Sequence, residues 1–137
     1  MRRPTPAPPA AAAPRPLAAA VPQAAAQVRP RLRVLRGGEI ALGPGKVELL
    51  ATIADLGCLA EAARTLGMSY MRAWRLIQTM NACFREPLVS TRRGGTLHGG
   101  AALTATGRQV LALYRRMEQT SLEAIAATWE ELRAYLA

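Results

Sequence analysis

The sequence predicts a mainly α-helical protein with a small β component. Three observations carry that prediction. Apolar residues recur at helical spacing through most of residues 46–136. A tight glycine hinge, Leu66-Gly67-Met68-Ser69, separates two of the helical stretches. Two short β-like stretches, 31–42 and 87–103, are interrupted by glycine pairs. Short helices around a glycine turn, hairpins beside them and a long final helix make the pattern of a winged helix-turn-helix. The chain has 137 residues, enough for one domain with extensions. The expected division is an Ala/Pro-rich arm at 1–30, the helix-turn-helix domain at 31–104 and a C-terminal dimerisation helix at 105–137.

The arm holds eight of the ten prolines. Proline removes backbone donors and blocks helix continuation, so a disordered or polyproline-like extension is expected. Arg2-Arg3 opens no twin-arginine signal, because prolines cut every apolar run after it. No stretch approaches the roughly 18–20 apolar residues of a membrane span. Next, RLRVLRGGEIAL (31–42) reads as a hairpin. Leu32, Val34, Ile40 and Leu42 form one apolar side, and Gly37-Gly38 supplies the two-residue turn. Gly43-Pro44-Gly45 ends it. A helix from Lys46 to Leu56 follows, with Leu49, Ile53 and Leu56 as its core stripe and Leu50 and Ala54 beside it. The Gly45-Lys46 pair is no phosphate loop: Ile40 and Val47 stand where that pattern needs glycine and Ser or Thr.

The hinge region is expected to fold as a supporting helix, Ala60 to Leu66, and a second helix, Ser69 to Ala82. Ala62, Ala63 and Leu66 face inward on the first. Ala73, Ile77 and Met80 do so on the second, and Trp74 is assigned to the same core stripe. Ser69 suits the N-cap of the second helix. Tyr70, Met71, Arg72 and Arg75 remain for its exposed N-terminal half. Arginine serves bases and phosphates alike, so Arg72 and Arg75 suit either. After it, Leu88-Val89-Ser90-Thr91 and Ala101-Ala102-Leu103 suit short strands around a basic glycine loop, 92–100, the wing. Arg92 and Arg93 supply its charge and His98 is a further polar residue of the loop. Thr104 caps the last helix, Ala105 to Leu136. Its apolar positions Leu122, Ile125, Trp129, Leu132 and Leu136 lie beyond the reach of a small domain. A second copy in a two-fold dimer would cover them.

Charge distribution gives the functional class. The net charge is +9, and residues 64–116 hold nine arginines and one acid, Glu86. That concentration matches a phosphate-facing surface. Double-stranded DNA is the expected partner, with Ser69, Tyr70, Met71, Arg72, Arg75, Arg92, Arg93 and His98 as its contacts. An enzyme is disfavoured: there is one histidine, no framed carboxylate pair and no ligand set at metal spacing. No cofactor is expected. Cys58 and Cys83 form no framework and suit small buried hydrophobes in a reducing cytoplasm. The competing expectation is a winged-helix protein-interaction module that modulates another regulator without touching DNA.

The run from Leu42 to Tyr114 resembles the N-terminal DNA-binding domain of the molybdate-responsive ModE transcriptional regulators, and more distantly the winged helix of LysR-type regulators. The motifs are GPGKVELLATIADLG (43–57), AARTLGMSYMRAWRLIQTMN (62–81) and EPLVSTRRGG…GGAALTATGRQVLALY (86–114). Gly67 to Trp74 is the most specific part; Leu103 to Gly107, Leu-Thr-x-x-Gly, is shared more widely. The resemblance implies a recognition helix at 69–82, a wing at 92–100 and a homodimer on a palindromic operator in bacteria. Cys58 and Ala60 stand where that family commonly has serines, so the supporting helix lacks its usual cap. The chain as read stops after the last helix, without the oxyanion-binding domains of the full-length sensors. Molybdate binding is therefore not expected.

Overall fold

The computed structural model describes residues 25–92 and 100–137. Most of the arm, Arg93 and His98 lie outside the described residues. The elements run β1 (Val34–Arg36), β2 (Glu39–Leu42), α1 (Pro44–Leu56), α2 (Leu59–Thr65), α3 (Tyr70–Cys83), β3 (Val89–Thr91), β4 (Ala101–Leu103) and α4 (Ala105–Arg133). Two antiparallel hairpins, β1-β2 and β3-β4, flank the helices. This is a winged helix with an N-terminal hairpin and a long C-terminal helix, as the sequence predicts. No helix among the described residues is long and apolar enough to cross a membrane.

The first hairpin turns at Gly37 and Gly38, both at positive φ, as a primed two-residue turn demands. Its strands are shorter than the predicted 31–42, and its inward face differs. The register shifts between Val34 and Leu35: Leu35 pairs with Ile40, whereas Val34 pairs with Leu42. Ala41 is therefore the extra residue of a bulge. Ala41 and Leu42 both go inward, and Ile40 is turned out at 40% exposure. Strict alternation puts Ile40 inside. It fails at a bulge because one inserted residue flips every later side chain.

Helix α1 begins at Pro44, two residues earlier than the Lys46 expected, because proline is pre-set for the first helical position. Val47, Leu49, Leu50 and Ile53 are buried, while Leu56 and Ala54 are exposed. Helical spacing alone would continue the stripe through Leu56. The chain breaks at Gly57, whose left-handed backbone turns its N–H onto the Ile53 carbonyl, and no described element reaches the last turn's outer side. Helix α2 has Cys58 at its N-cap position with no side-chain cap, in line with the missing serine. It ends in a full Schellman turn: Met68 N donates to Ala63 O, Gly67 N donates to Arg64 O, and Gly67 sits at φ 66°. Cys58 and Cys83 are half-buried free thiols.

The core gathers Leu42, Val47, Leu49, Leu50, Ile53, Leu59, Ala62, Ala63, Ala73, Ile77, Met80, Leu88, Leu103 and Tyr114. Helix α4 gives this core only its first turns: Gly107 and Tyr114 are its buried residues. The Tyr114 hydroxyl donates to Leu32 O at 2.8 Å and ties α4 to the start of the hairpin. Burial, with Glu118 nearby, pushes that hydroxyl's pKa up. Twenty-nine residues make α4 about 43 Å long, and nothing described covers its distal half.

Helix α4 is seated by the Leu-Thr-x-x-Gly motif. Leu103 is buried. The Thr104 hydroxyl accepts from Gly107 N at 2.9 Å and donates to Pro87 O at 2.6 Å, while Thr104 N donates to Leu88 O at 2.9 Å. Gly107 then lies so close to Leu88 that a Cβ there would overlap the Leu88 carbonyl. Gly107→Ala is expected to destabilise the fold by about 1–3 kcal/mol, the range for overpacking, despite alanine's better helix propensity. Urea denaturation checks this; a stability equal to or above that of the native chain would show that α4 is not seated on Leu88.

Candidate nucleic-acid interface

Helix α3 is held at both ends and on its inner side. At the N-terminus, Ser69 Oγ accepts from Arg72 N at 3.1 Å, which satisfies one of the unpaired donors of the first turn. At the C-terminus, Arg36 of β1 donates Nη1 to Cys83 O at 2.9 Å. A guanidinium at that end of a helix complements its dipole. Ala73, Ile77 and Met80 are fully buried against the core. The hairpin thus serves as a bracket for α3.

The outer side of α3 carries no acid. Tyr70, Met71, Arg72, Trp74, Arg75, Gln78 and Ala82 are exposed along it. Trp74 departs from the sequence expectation: it is 40% exposed and absent from the core. Its i, i+3 spacing to Ile77 suggests the buried stripe. However, Ala73 and Ile77, four apart, take that line, and Trp74 falls on the flank beside it, outside the core cluster. Among the described residues the one ion pair is Arg133 with Glu130 on α4, so Arg72, Arg75 and Arg92 meet no carboxylate within ion-pair distance.

Arg92 stands beyond the end of β3. Its N–H donates to Gly100 O at 2.7 Å, closing the base of the loop predicted as the wing. Gly100 also bridges to Cys58, and Ala101 N donates to Gly57 O at 3.1 Å, so the loop's root is anchored to the α1–α2 turn. The structure therefore brings Ser69, Tyr70, Met71, Arg72 and Arg75 together on one helix and leaves Arg92 at the root of a neighbouring hairpin. Arg93 and His98 fall outside the described residues.

One positioning residue is absent from the sequence expectations. Asn81, on the last turns of α3, accepts at Oδ1 from Leu88 N at 2.8 Å and from Val89 N at 3.2 Å, and donates Nδ2 to Val89 O at 3.0 Å. It clamps the start of β3 to the helix, and so sets where the second hairpin stands relative to α3. A polar residue one position past the buried Met80 is the available signal. Among the described residues no cluster of His, Cys, Asp and Glu could hold a metal ion.

Comparison with known proteins bears on this arrangement. Residues 45–108, from α1 through the start of α4, match the bacterial regulatory helix-turn-helix proteins of the lysR family. The segment is similar to that family's helix-turn-helix over these 64 residues. Its relatives include the molybdenum-pterin-binding protein MopB of Rhodobacter capsulatus, 40% identical over 77 residues, which are 56% of this chain and 28% of that protein. The molybdenum transport protein ModE of Azotobacter vinelandii is 37% identical over 95 residues, 67% of this chain and 35% of that one. The DNA-binding transcriptional dual regulator ModE of Escherichia coli K12 is 36% identical over 81 residues, 59% of this chain and 31% of that one. The chain thus spans about a third of the length of these relatives.

The internal geometry of the matched segment makes one stability prediction. Asn81→Ala leaves the Leu88 and Val89 amides without their acceptor and is expected to cost about 1–3 kcal/mol. Thermal unfolding measures this. An unchanged midpoint would mean that the second hairpin is held by its strand pairing alone.

Proposed function

We propose that the chain is the DNA-binding part of a bacterial transcriptional regulator, a binding protein rather than an enzyme, acting on DNA in the cytoplasm. The observation that carries this reading is α3: an exposed, acid-free helix with Arg72 and Arg75 on its outer side, fixed at both ends on a lysR-type scaffold. A helix so presented enters the major groove with its N-terminal half against base edges. In this reading Tyr70, Met71, Arg72 and Arg75 contact DNA there. Ser69 stands at the first turn, its oxygen engaged as the cap. Arg92, Arg93 and His98 of the wing take phosphates. Most of the affinity comes from arginine–phosphate contacts and falls as salt rises, through counterion release.

The partner of the domain is a second copy of itself, bound to a palindromic operator. The support is α4. Leu113, Met117, Ile125 and Leu132 are exposed along it, and Leu136 just beyond its end. They continue from an apolar groove of about 170 Å³ that Val34, Phe84, Val110 and Leu113 line between hairpin and helix. A stripe of that length on one helix marks an interaction surface, and the same helix of a second copy is self-complementary to it. The proposal does not extend to molybdate, since the shared stretch is only about a third of the relatives that carry molybdenum in their names.

The double variant Arg72→Ala, Arg75→Ala is expected to bind duplex DNA at least about tenfold more weakly. Its salt slope should fall by up to about two, one for each phosphate left unneutralised. Titration of random and genomic duplexes at two salt concentrations measures both. Equal binding by the native chain and the variant would remove α3 from the interface, and an interaction module acting on another regulator would replace this reading.

Light scattering at micromolar concentration is expected to give about 29 kDa, twice the 14.7 kDa of one chain. Particles of 14.7 kDa alone would sink the dimer.

A further inference from the structure

We propose that Trp74 is part of the base-reading surface of α3, and that with Met71 and Gln78 it selects thymine–adenine pairs by covering the thymine methyl group. The inference rests on the DNA-binding reading above and deepens it.

Met71, Trp74 and Gln78 follow one another at i, i+3 and i+7, the spacing of a single helix face. That face is turned away from Ala73, Ile77 and Met80, which are fully buried. Met71 is 54% and Trp74 40% exposed. A short helix whose outer side holds a tryptophan and a methionine in water is presenting apolar surface to something. Its neighbours say what. Arg72 and Arg75 lie along one edge of the strip, no acid occurs anywhere on α3, and neither arginine has a carboxylate within ion-pair distance among the described residues. Apolar surface bordered on one side by uncompensated positive charge is complementary to a polyanion that itself offers an apolar group.

Duplex DNA offers one in the major groove, the C5-methyl of thymine. Gln78 lies one turn beyond Trp74. Glutamine is the side chain that can donate to N7 and accept from N6 of adenine at the same time. The strip therefore carries a partner for each member of a T·A pair, or for neighbouring pairs, in one line along the helix. Tyr70, 52% exposed at the N-terminal edge, extends the apolar surface by one position. A phosphate-binding role explains Arg72 and Arg75 but gives no reason for the tryptophan beside them.

The test uses duplexes selected by the native chain from a randomised pool. Each is remade with deoxyuridine in place of one thymidine at a time. Uracil keeps every hydrogen-bonding group of thymine and lacks only the methyl. The native chain is expected to bind about fourfold more weakly at each position where a methyl is covered, the ratio for one buried methyl group. Trp74→Ala should bind the thymine and uracil forms equally at the position it covers, with its salt slope unchanged. Trp74→Phe, which keeps an aromatic face, should retain part of the difference. If the native chain and Trp74→Ala show the same thymine-to-uracil ratio at every position, the assignment of Trp74 is overturned and the DNA-binding reading stands. If the native chain enriches no duplex and binds none with a salt dependence, the DNA-binding reading falls and takes the assignment with it.

Discussion

The backbone of Pro87, Leu88 and Val89 is the junction on which the rest of the structure depends. Three elements meet on it, while the Leu88 and Val89 side chains are buried in the core. Asn81 brings α3 to the Leu88 and Val89 amides. Thr104 brings the cap of α4 to the Pro87 and Leu88 carbonyls. Gly107 allows α4 to approach the Leu88 carbonyl where any side chain would block it. Paired backbone groups in a part-buried place are costly to leave unmade, which makes this junction stiff. The relation among exposed helix, second hairpin and long helix is therefore set by hydrogen bonds of fixed length as well as by the apolar packing of the core.

Rigidity of that kind suits a surface that must match a regular partner. The core beneath α3 is built of small and medium residues, with Ala62, Ala63 and Ala73 fully buried. Alanines let helices come close, so α3 sits low on α1 and α2 and its outer side stands clear. Arg36, reaching from β1 to the Cys83 carbonyl, adds a tether at the far end. The first hairpin, which contributes little to the core beyond Ala41 and Leu42, is explained by that tether and by the Tyr114 hydroxyl on Leu32.

Much of this is legible in the residues. Gly67, Ser69 and Thr104 act at the positions their chemistry dictates, because caps and left-handed turns are local events that need no knowledge of the fold. The helix order, the two hairpins and the reach of α4 beyond the core follow from apolar spacing. What is not legible depends on non-local facts. Periodicity puts Trp74 inside because it cannot tell which flank of a helix its neighbours cover. Alternation puts Ile40 inside because a bulge at Ala41 leaves no mark in the pattern. Leu56 sits on the stripe, yet α1 outlasts the surface it packs on. Asn81 with Leu88, and Leu88 with Gly107, join residues 7 and 19 apart by contacts no pattern announces. For the candidate interface, charge clustering points to α3 and to the second hairpin, and the structure adds the tryptophan that clustering has no reason to include.

Gly107 gives α4 a stiff root as well as a seat. Because the helix is anchored within its first three turns and no described element covers the remainder, it makes a lever about 43 Å long. Each degree of tilt at Leu88 carries the far end by roughly 0.75 Å, at the rise of 1.5 Å per residue. A sub-ångström change at the junction is thus magnified at Leu132 and Leu136. The same lever works in reverse: force applied at the distal end arrives at the peptide groups that also hold α3 and the second hairpin. Whatever grips the tip of this helix has mechanical access to the exposed helix without touching it.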